Sequence, residues 1–339
     1  MALVRERRLN LTLQLPTQDP VPSAAAASSA ADCRFRFSLP PLPPVSSGSD
    51  AFRLSDLEKL KVLGHGNGGT VYKVRHRRSS AVYALKVLHS APSPSSRREI
   101  DIHRSLDSPS VVRCHASLTT PAGDPALLLE HMDSGSLGDL VRRAPLPEPA
   151  LAHICGQVLR GLHYLHSQKV VHRDIKPSNL LVGSGGQIKI ADFGVSKLLR
   201  RSLDACVSYV GTCAYMSPER FDPEAYGGNY DPYAADVWSL GLTVLELFVG
   251  RFPLVPEGER PDWAALMCAI CFGEPPAMPE GASEELRDFV GCCLQKEAGK
   301  RWSVGQLASH PFVARSDRAE SERMFRDLLT DGPARPESS

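Results

Sequence analysis

Long apolar runs are missing from this 339-residue chain. None approaches the roughly 18 consecutive residues that would span a bilayer. The opening Met1-Ala-Leu-Val-Arg-Glu-Arg-Arg8 also lacks the apolar stretch of about 7–15 residues at the heart of a secretory signal. Both absences point to the cytoplasm, with the nucleus as a second compartment. An excess of either charge is missing too. Thirty-nine Lys and Arg against 38 Asp and Glu leave +1, so no global field argues for a nucleic-acid or membrane partner. A disulfide framework is equally absent: nine cysteines, an odd number without regular spacing, read as thiols in a reducing compartment. Cys268-x-x-Cys271 and Cys292-Cys293 have no second CxxC and no nearby His in the sequence, so core packing rather than zinc is expected of them. No internal repeat is visible.

What is present is a chain of uneven texture. Residues 14–51 hold an alanine run, many serines and Pro-Pro-Leu-Pro-Pro, a composition that buries too little surface to order itself and reads as a linker. Periodic apolar residues begin near Phe52 and continue to Val313, so one folded unit of 52–313 is expected, followed by a polar tail of 314–339. Within the unit, Leu60–Leu63, Thr70–Val74 and Val82–Leu88 are rich in β-branched and aromatic residues and predict a small antiparallel sheet. From about Ala150, Leu151, Ile154, Val158, Leu162 and Leu165 fall three and four apart, the stripe of an amphipathic helix. Strands followed by helices predict an α+β chain of two lobes, a small β-rich one with one main helix and a larger helical one.

The chemistry-bearing residues follow in order. Gly64, His65, Gly66, Asn67, Gly68, Gly69, Thr70 and Val71 fit G-x-G-x-x-G-x-V between two predicted strands, where glycines let backbone N–H groups approach phosphate oxygens. A plain glycine-rich hairpin turn is the alternative. A P-loop is excluded because no Gly-Lys-Ser/Thr closes the motif, and a dinucleotide fold because the segment leads into a strand rather than a helix. Lys86 on the third strand offers an ammonium for the α- and β-phosphates. Glu99 lies on a helix that Ser93 can cap and Pro94 can open, placed to meet Lys86.

The decisive segment is His172-Arg-Asp174-Ile-Lys176-Pro-Ser-Asn179, followed by Asp192-Phe193-Gly194. Asp174 is a carboxylate to accept a hydroxyl proton, Lys176 neutralises the moving phosphoryl charge, and Asn179 and Asp192 offer oxygen ligands for Mg²⁺. Phosphoryl transfer from ATP is a matter of positioning and charge stabilisation, and these residues are a set for it. Ser217-Pro218-Glu219 resembles the Ala-Pro-Glu of kinases, a likeness that implies a structural role for Glu219 with Arg301 as its buried partner.

Val210-Gly-Thr-Cys-Ala-Tyr-Met-Ser-Pro-Glu-Arg220, Asp192-Phe-Gly-Val-Ser-Lys197 and Leu129-Glu-His-Met-Asp-Ser-Gly-Ser-Leu137 are narrower than the general pattern. Through them residues 52–313 resemble the MAP kinase kinases, and Ser202 and Ser208, separated by five residues, resemble the plant branch's paired phosphoacceptors. The resemblance implies a bilobal kinase that uses ATP and Mg²⁺ and phosphorylates Thr and Tyr of a downstream MAP kinase. An upstream MAP kinase kinase kinase would activate it at Ser202 and Ser208, the new phosphates pairing with Arg173. It further implies an ATP site of Val62, Leu63, the glycine segment 64–71, Ala84, Lys86, Glu99, a gatekeeper Leu129, and hinge residues Glu130 and Met132. Arg5, Arg7 and Arg8 running into Leu9, Leu11 and Leu13 resemble the family's MAP kinase docking peptide. Alternate leucines of an extended peptide face one way and can fill adjacent pockets, while the arginines meet an acidic patch.

Glu99 lies only 13 residues after Lys86, with Pro92 and Pro94 between them, so the helix starts late and an imperfect ion pair is expected. In the tail, Met324, Phe325, Leu328 and Leu329 sit at helical spacing, to bind an upstream kinase or to cover the larger lobe. Two rivals stand beside the resemblance: a pseudokinase scaffold, and an upstream kinase specific for Ser and Thr.

Overall fold

The computed structural model describes residues 52–66, 69–88, 94–193, 213–222, 231–255 and 262–330. Residues 57–130 supply five antiparallel strands: β1 (Leu57–Gly66), β2 (Gly69–His76), β3 (Val82–Val87), β4 (Cys114–Thr119) and β5 (Pro125–Glu130), in the order β1-β2-β3-β5-β4. The period of two sorts side chains between two faces. Val74, Leu85, Val87, Ala126 and Leu128 pack on one. Ala84, Leu127, Leu129 and Met132 pack on the other, together with Val71, Ile100, Leu181 and Ala191. The second face is the floor of the small lobe, since Leu181 and Ala191 come from the far side of the cleft. Gly69 enters β2 at φ +137°, and a Cβ there would lie 1.9 Å from the Val87 carbonyl oxygen, so this turn requires glycine. One helix, α1 (Pro94–Ser105), accompanies the sheet.

The larger lobe is built from α2 (Leu137–Val141), α3 (Glu148–Ser167), the hairpin β6 (Leu180–Val182) and β7 (Ile188–Ile190), α4 (Pro218–Phe221), α5 (Pro232–Val249), α6 (Trp263–Met267), α7 (Glu284–Cys293), α8 (Val304–Ala308), α9 (Pro311–Ala314) and α10 (Arg318–Thr330). The predicted stripe on α3 is buried as one seam. Asp231 caps α5 through its side chain, Pro232 opens it, and Gly250 closes it at φ +84°. Because α5 is buried almost all round, it is the post against which the catalytic segment is fixed. The tail helix α10 lies against α3, with Phe325 fully buried and Arg326 donating to the Gly185 carbonyl, so this helix covers part of the larger lobe.

Candidate active site

Asp236, in the first turns of α5, sets the backbone of the catalytic segment. It is fully buried and accepts from the backbone N–H of His172 (3.0 Å) and Arg173 (2.7 Å), and it lies 2.9 Å from His166 Nε2. Burial pushes its carboxyl pKa up. The hydrogen bond and charge of His166, with His172 and the Arg173 amide, outweigh that and hold it below the ordinary range. Arg173 sits at φ +69°, a region a non-glycine residue occupies only when its surroundings hold it, as Asp236 does here.

This turn points Asp174 into the cleft. One oxygen, Oδ2, accepts from Lys176 Nζ and from Asn179 Nδ2, both at 2.8 Å. The other, Oδ1, is buried and has no hydrogen-bond partner. A buried carboxylate oxygen left over after its neighbours are satisfied is an acceptor awaiting a donor, and an incoming hydroxyl is one. Asn179 sends Nδ2 to both the backbone and side-chain oxygens of Asp174, and its amide oxygen is thereby left as a ligand. Its backbone carbonyl accepts from Ala191 N at 2.9 Å, which brings Asn179 and Asp192 side by side. An amide oxygen and a carboxylate form a hard-oxygen pair that fits Mg²⁺.

Lys86 Nζ lies 2.7 Å from Glu99 Oε1 and 2.7 Å from Asp192 Oδ1. The expectation of an imperfect pair is therefore corrected. The helix does start only at Pro94, yet Glu99 follows by more than one turn, enough to bring its carboxylate round to β3. Burial disfavours the Lys86 ammonium, but the two carboxylates overcome this and hold its pKa above the ordinary range. Glu99 shows the opposite balance: burial raises its pKa, and Lys86 only partly offsets the shift.

At the back of the cleft Val71, Ala84, Leu129 and Met132 belong to one apolar cluster, while Val62 and Leu63 stand exposed on β1. Glu130 is taken up by Lys189 (2.6 Å) and by the Arg113 amide, so its carboxylate is engaged away from the cleft and its backbone remains for a ligand. His65 and Thr70 face each other across the hairpin at 3.2 Å. Asn67 and Gly68, the expected phosphoacceptors Ser202 and Ser208, and the arm 5–13 with its expected docking residues lie outside the described residues. Glu219 and Arg301 meet in a buried two-point ion pair at 2.6 and 2.7 Å.

Two features escape the sequence reading. His103 lies four residues beyond Glu99, one turn along the same helix face, and is buried against Phe193. The spacing of four is a signal, but it marks a face and not a neighbour. Cys292 comes together with Asp288 and His310, their ligand atoms within 4.8 Å of one another, so a histidine is near this cysteine in space though not in sequence. Three donors fall short of four, and His310 already accepts from Phe312 N–H and meets Asp288 at 3.0 Å. Core packing holds for Cys293, which is buried in the core of the larger lobe, and for Cys271 and Cys292, half-buried against that core, and is corrected for Cys268, which is exposed.

The family model described as "Protein kinase domain" matches residues 57–313. The chain is 54% identical over 319 residues to mitogen-activated protein kinase kinase 9 of Arabidopsis thaliana, covering 92% of this chain and 99% of that one. It is 52% identical over 323 residues to mitogen-activated protein kinase kinase 7 of the same plant, covering 93% and 100%. Against mitogen-activated protein kinase kinase SIPKK of Nicotiana tabacum the identity is 40% over 274 residues, with 78% and 75% covered.

Proposed function

Since this chain belongs to the protein kinases and, among them, to the MAP kinase kinases, we propose that it transfers the γ-phosphate of ATP to both Thr and Tyr of a MAP kinase activation loop. The observation that carries this reading is the partnerless Oδ1 of Asp174 beside Lys176, opposite the Lys86–Glu99 pair. Asp174 accepts the proton of the substrate hydroxyl as its oxygen attacks the γ-phosphorus and the bond to the β-phosphate oxygen breaks, leaving ADP. Lys176 balances the charge on the moving phosphoryl group, and Lys86, oriented by Glu99, holds the α- and β-phosphates. Protein kinases use Mg²⁺ with ATP; Asn179 and Asp192 would hold it, and it would neutralise phosphate charge. The hinge backbone at Glu130 and Met132 takes the adenine.

The test uses a catalytically dead MAP kinase as substrate, with phosphothreonine and phosphotyrosine read separately. Both should appear. Phosphothreonine alone would move the chain to the Ser/Thr-specific tier, and neither, after activation, would make it a scaffold.

Activation is assigned to Ser202 and Ser208. Phosphorylation by an upstream MAP kinase kinase kinase adds about −1.5 to −2 charges at each, which Arg173 pairs to order the loop. Ser202→Asp with Ser208→Asp should raise activity by roughly tenfold or more, the size of one or two charge-assisted contacts. The assignment fails if the double variant equals the wild type while phosphorylated wild type is active.

Docking is assigned to Arg5, Arg7, Arg8, Leu9, Leu11 and Leu13, in a protein placed in the cytoplasm with access to the nucleus. Charge reversal at the three arginines should raise KM for the MAP kinase roughly tenfold, with kcat on a short peptide unaltered, because the arm steers and holds the partner without touching the chemistry. An unchanged KM would remove the assignment.

A further inference from the structure

At α7 the larger lobe brings together three groups that phosphoryl transfer does not use. Asp288 and Cys292 lie four residues apart on this helix and so share one of its faces. His310, which caps α9, reaches the same place from beyond α8. The carboxylate, the thiol and an imidazole nitrogen lie within 4.8 Å of one another. His310 is buried, Cys292 is half-buried, and the Asp288 side chain is 68% exposed. The trio opens onto a cleft of about 650 Å³ that Glu284 and Trp302 also line, so an ion can enter with its water.

Sulfur, imidazole nitrogen and carboxylate oxygen are together the donor set of a borderline-soft divalent cation, whereas Mg²⁺ and Ca²⁺ take oxygen. Three protein donors are too few for a closed, structural zinc site. They are the number of an open one, whose fourth position is held by water. The spacing agrees. Nitrogen and oxygen ligands about 2.0–2.1 Å from a tetrahedral zinc stand about 3.3 Å apart, and His310 Nε2 lies 3.0 Å from Asp288 Oδ2. A sulfur about 2.3 Å from the metal stands about 3.6 Å from each of them, so Cys292 needs a shift of about 1 Å, within reach of a side chain at the edge of a cleft.

The existing contacts of these groups give way at small cost. His310 Nδ1 accepts from the Phe312 N–H at 3.2 Å, so without metal the ring proton sits on Nε2 and is donated to Asp288. A metal on Nε2 moves that proton to Nδ1 and gives up the long bond from Phe312. The turn keeps the bonds from the Val313 and Ala314 N–H groups to the His310 carbonyl. Cys292 loses its thiol proton to water as the sulfur binds as thiolate. Of the cations lining the cleft, Lys300 pairs with Glu297 and Arg287 donates to the Glu280 carbonyl, while Arg315 is set against Glu284, Glu285 and Asp288.

We propose that Asp288, Cys292 and His310 form a binding site for a borderline-soft divalent cation of the zinc type, which ties α7 to the start of α9. The site is separate from the phosphate-binding cleft, and its occupancy stabilises the larger lobe because the three ligands come together only in the folded chain.

The experiment uses the full-length protein, reduced and freed of metal by a chelator. It is titrated with Zn²⁺ alone while thermal unfolding is followed, and separately with Co²⁺ while the absorption spectrum is recorded. Zn²⁺ should raise the unfolding midpoint progressively with concentration, and chelator should reverse the rise. Co²⁺ should give a sulfur-to-metal charge-transfer band, which the oxygen ligands Asn179 and Asp192 cannot produce. Cys292→Ser should abolish that band and weaken Zn²⁺ binding by roughly a hundredfold, and Asp288→Asn should keep the band while weakening binding by roughly tenfold. Should the serine variant fail to fold, Cys292→Ala gives the same readout. Cys268→Ser with Cys271→Ser should leave band and affinity unaltered. Absence of the band from the wild type, its persistence in Cys292→Ser, or its loss in the Cys268 and Cys271 double variant overturns the inference. Neither readout involves ATP or a protein substrate, so the result is independent of the proposed kinase activity.

Discussion

Asp174→Asn should reduce kcat by roughly two to four orders of magnitude, the usual worth of a general base, while ATP affinity and thermal stability stay near wild type. The amide matches the carboxylate in shape and its oxygen still accepts from Lys176, which in the wild type meets Oδ2 at 2.8 Å. What it lacks is the charge and basicity to take a proton at the position of Oδ1, the buried oxygen without a partner. Single-turnover phosphorylation of a dead MAP kinase, with nucleotide titration and a thermal melt on the same preparation, separates these effects. Activity within tenfold of wild type would show that Asp174 does not take the proton.

Arg301→Ala acts on stability instead. Arg301 makes a two-point ion pair with Glu219 and also donates to the backbone carbonyls of Ala234, Gln295 and Lys296. Both partners are buried, so truncation leaves the Glu219 carboxylate alone in a low-dielectric interior, at a cost of about 3–5 kcal/mol. The midpoint of thermal unfolding should fall by roughly 10 °C for a domain of this size. Arg301→Met combined with Glu219→Leu should recover part of the loss, because no charge then remains unpaired, though three carbonyls still lack a donor. A single variant that melts within about 2 °C of wild type would contradict the account, as such a shift is under 1 kcal/mol.

The sheet illustrates how far local pattern reaches. β1, β2 and β3 appear in the sequence as short apolar, β-branched runs, and the structure lengthens β1 to Leu57–Gly66. β4 and β5 are harder to place. Leu127, Leu128 and Leu129 run together without alternation because β5 is interior and buried on both faces, which periodicity cannot separate from a helix segment. The tail is similar: the spacing of Met324, Phe325, Leu328 and Leu329 defines an apolar face, and only packing on α3 decides what covers it.

The sequence alone determined that this chain carries phosphoryl-transfer groups and belongs among the two-lobed kinases, because His172-Arg-Asp174 with Asn179, and then Asp192-Phe193, state their chemistry by residue type and offset. Tertiary structure decided the rest. That Lys86 reaches Glu99 despite the late start of α1, that Asp174 keeps one oxygen free, that Cys292 has a histidine beside it, and that His103 is buried without a partner all depend on contacts between residues far apart in the chain. Hydrogen-bond satisfaction and burial belong to the packed neighbourhood of a side chain, and a linear pattern records its face without recording what lies opposite.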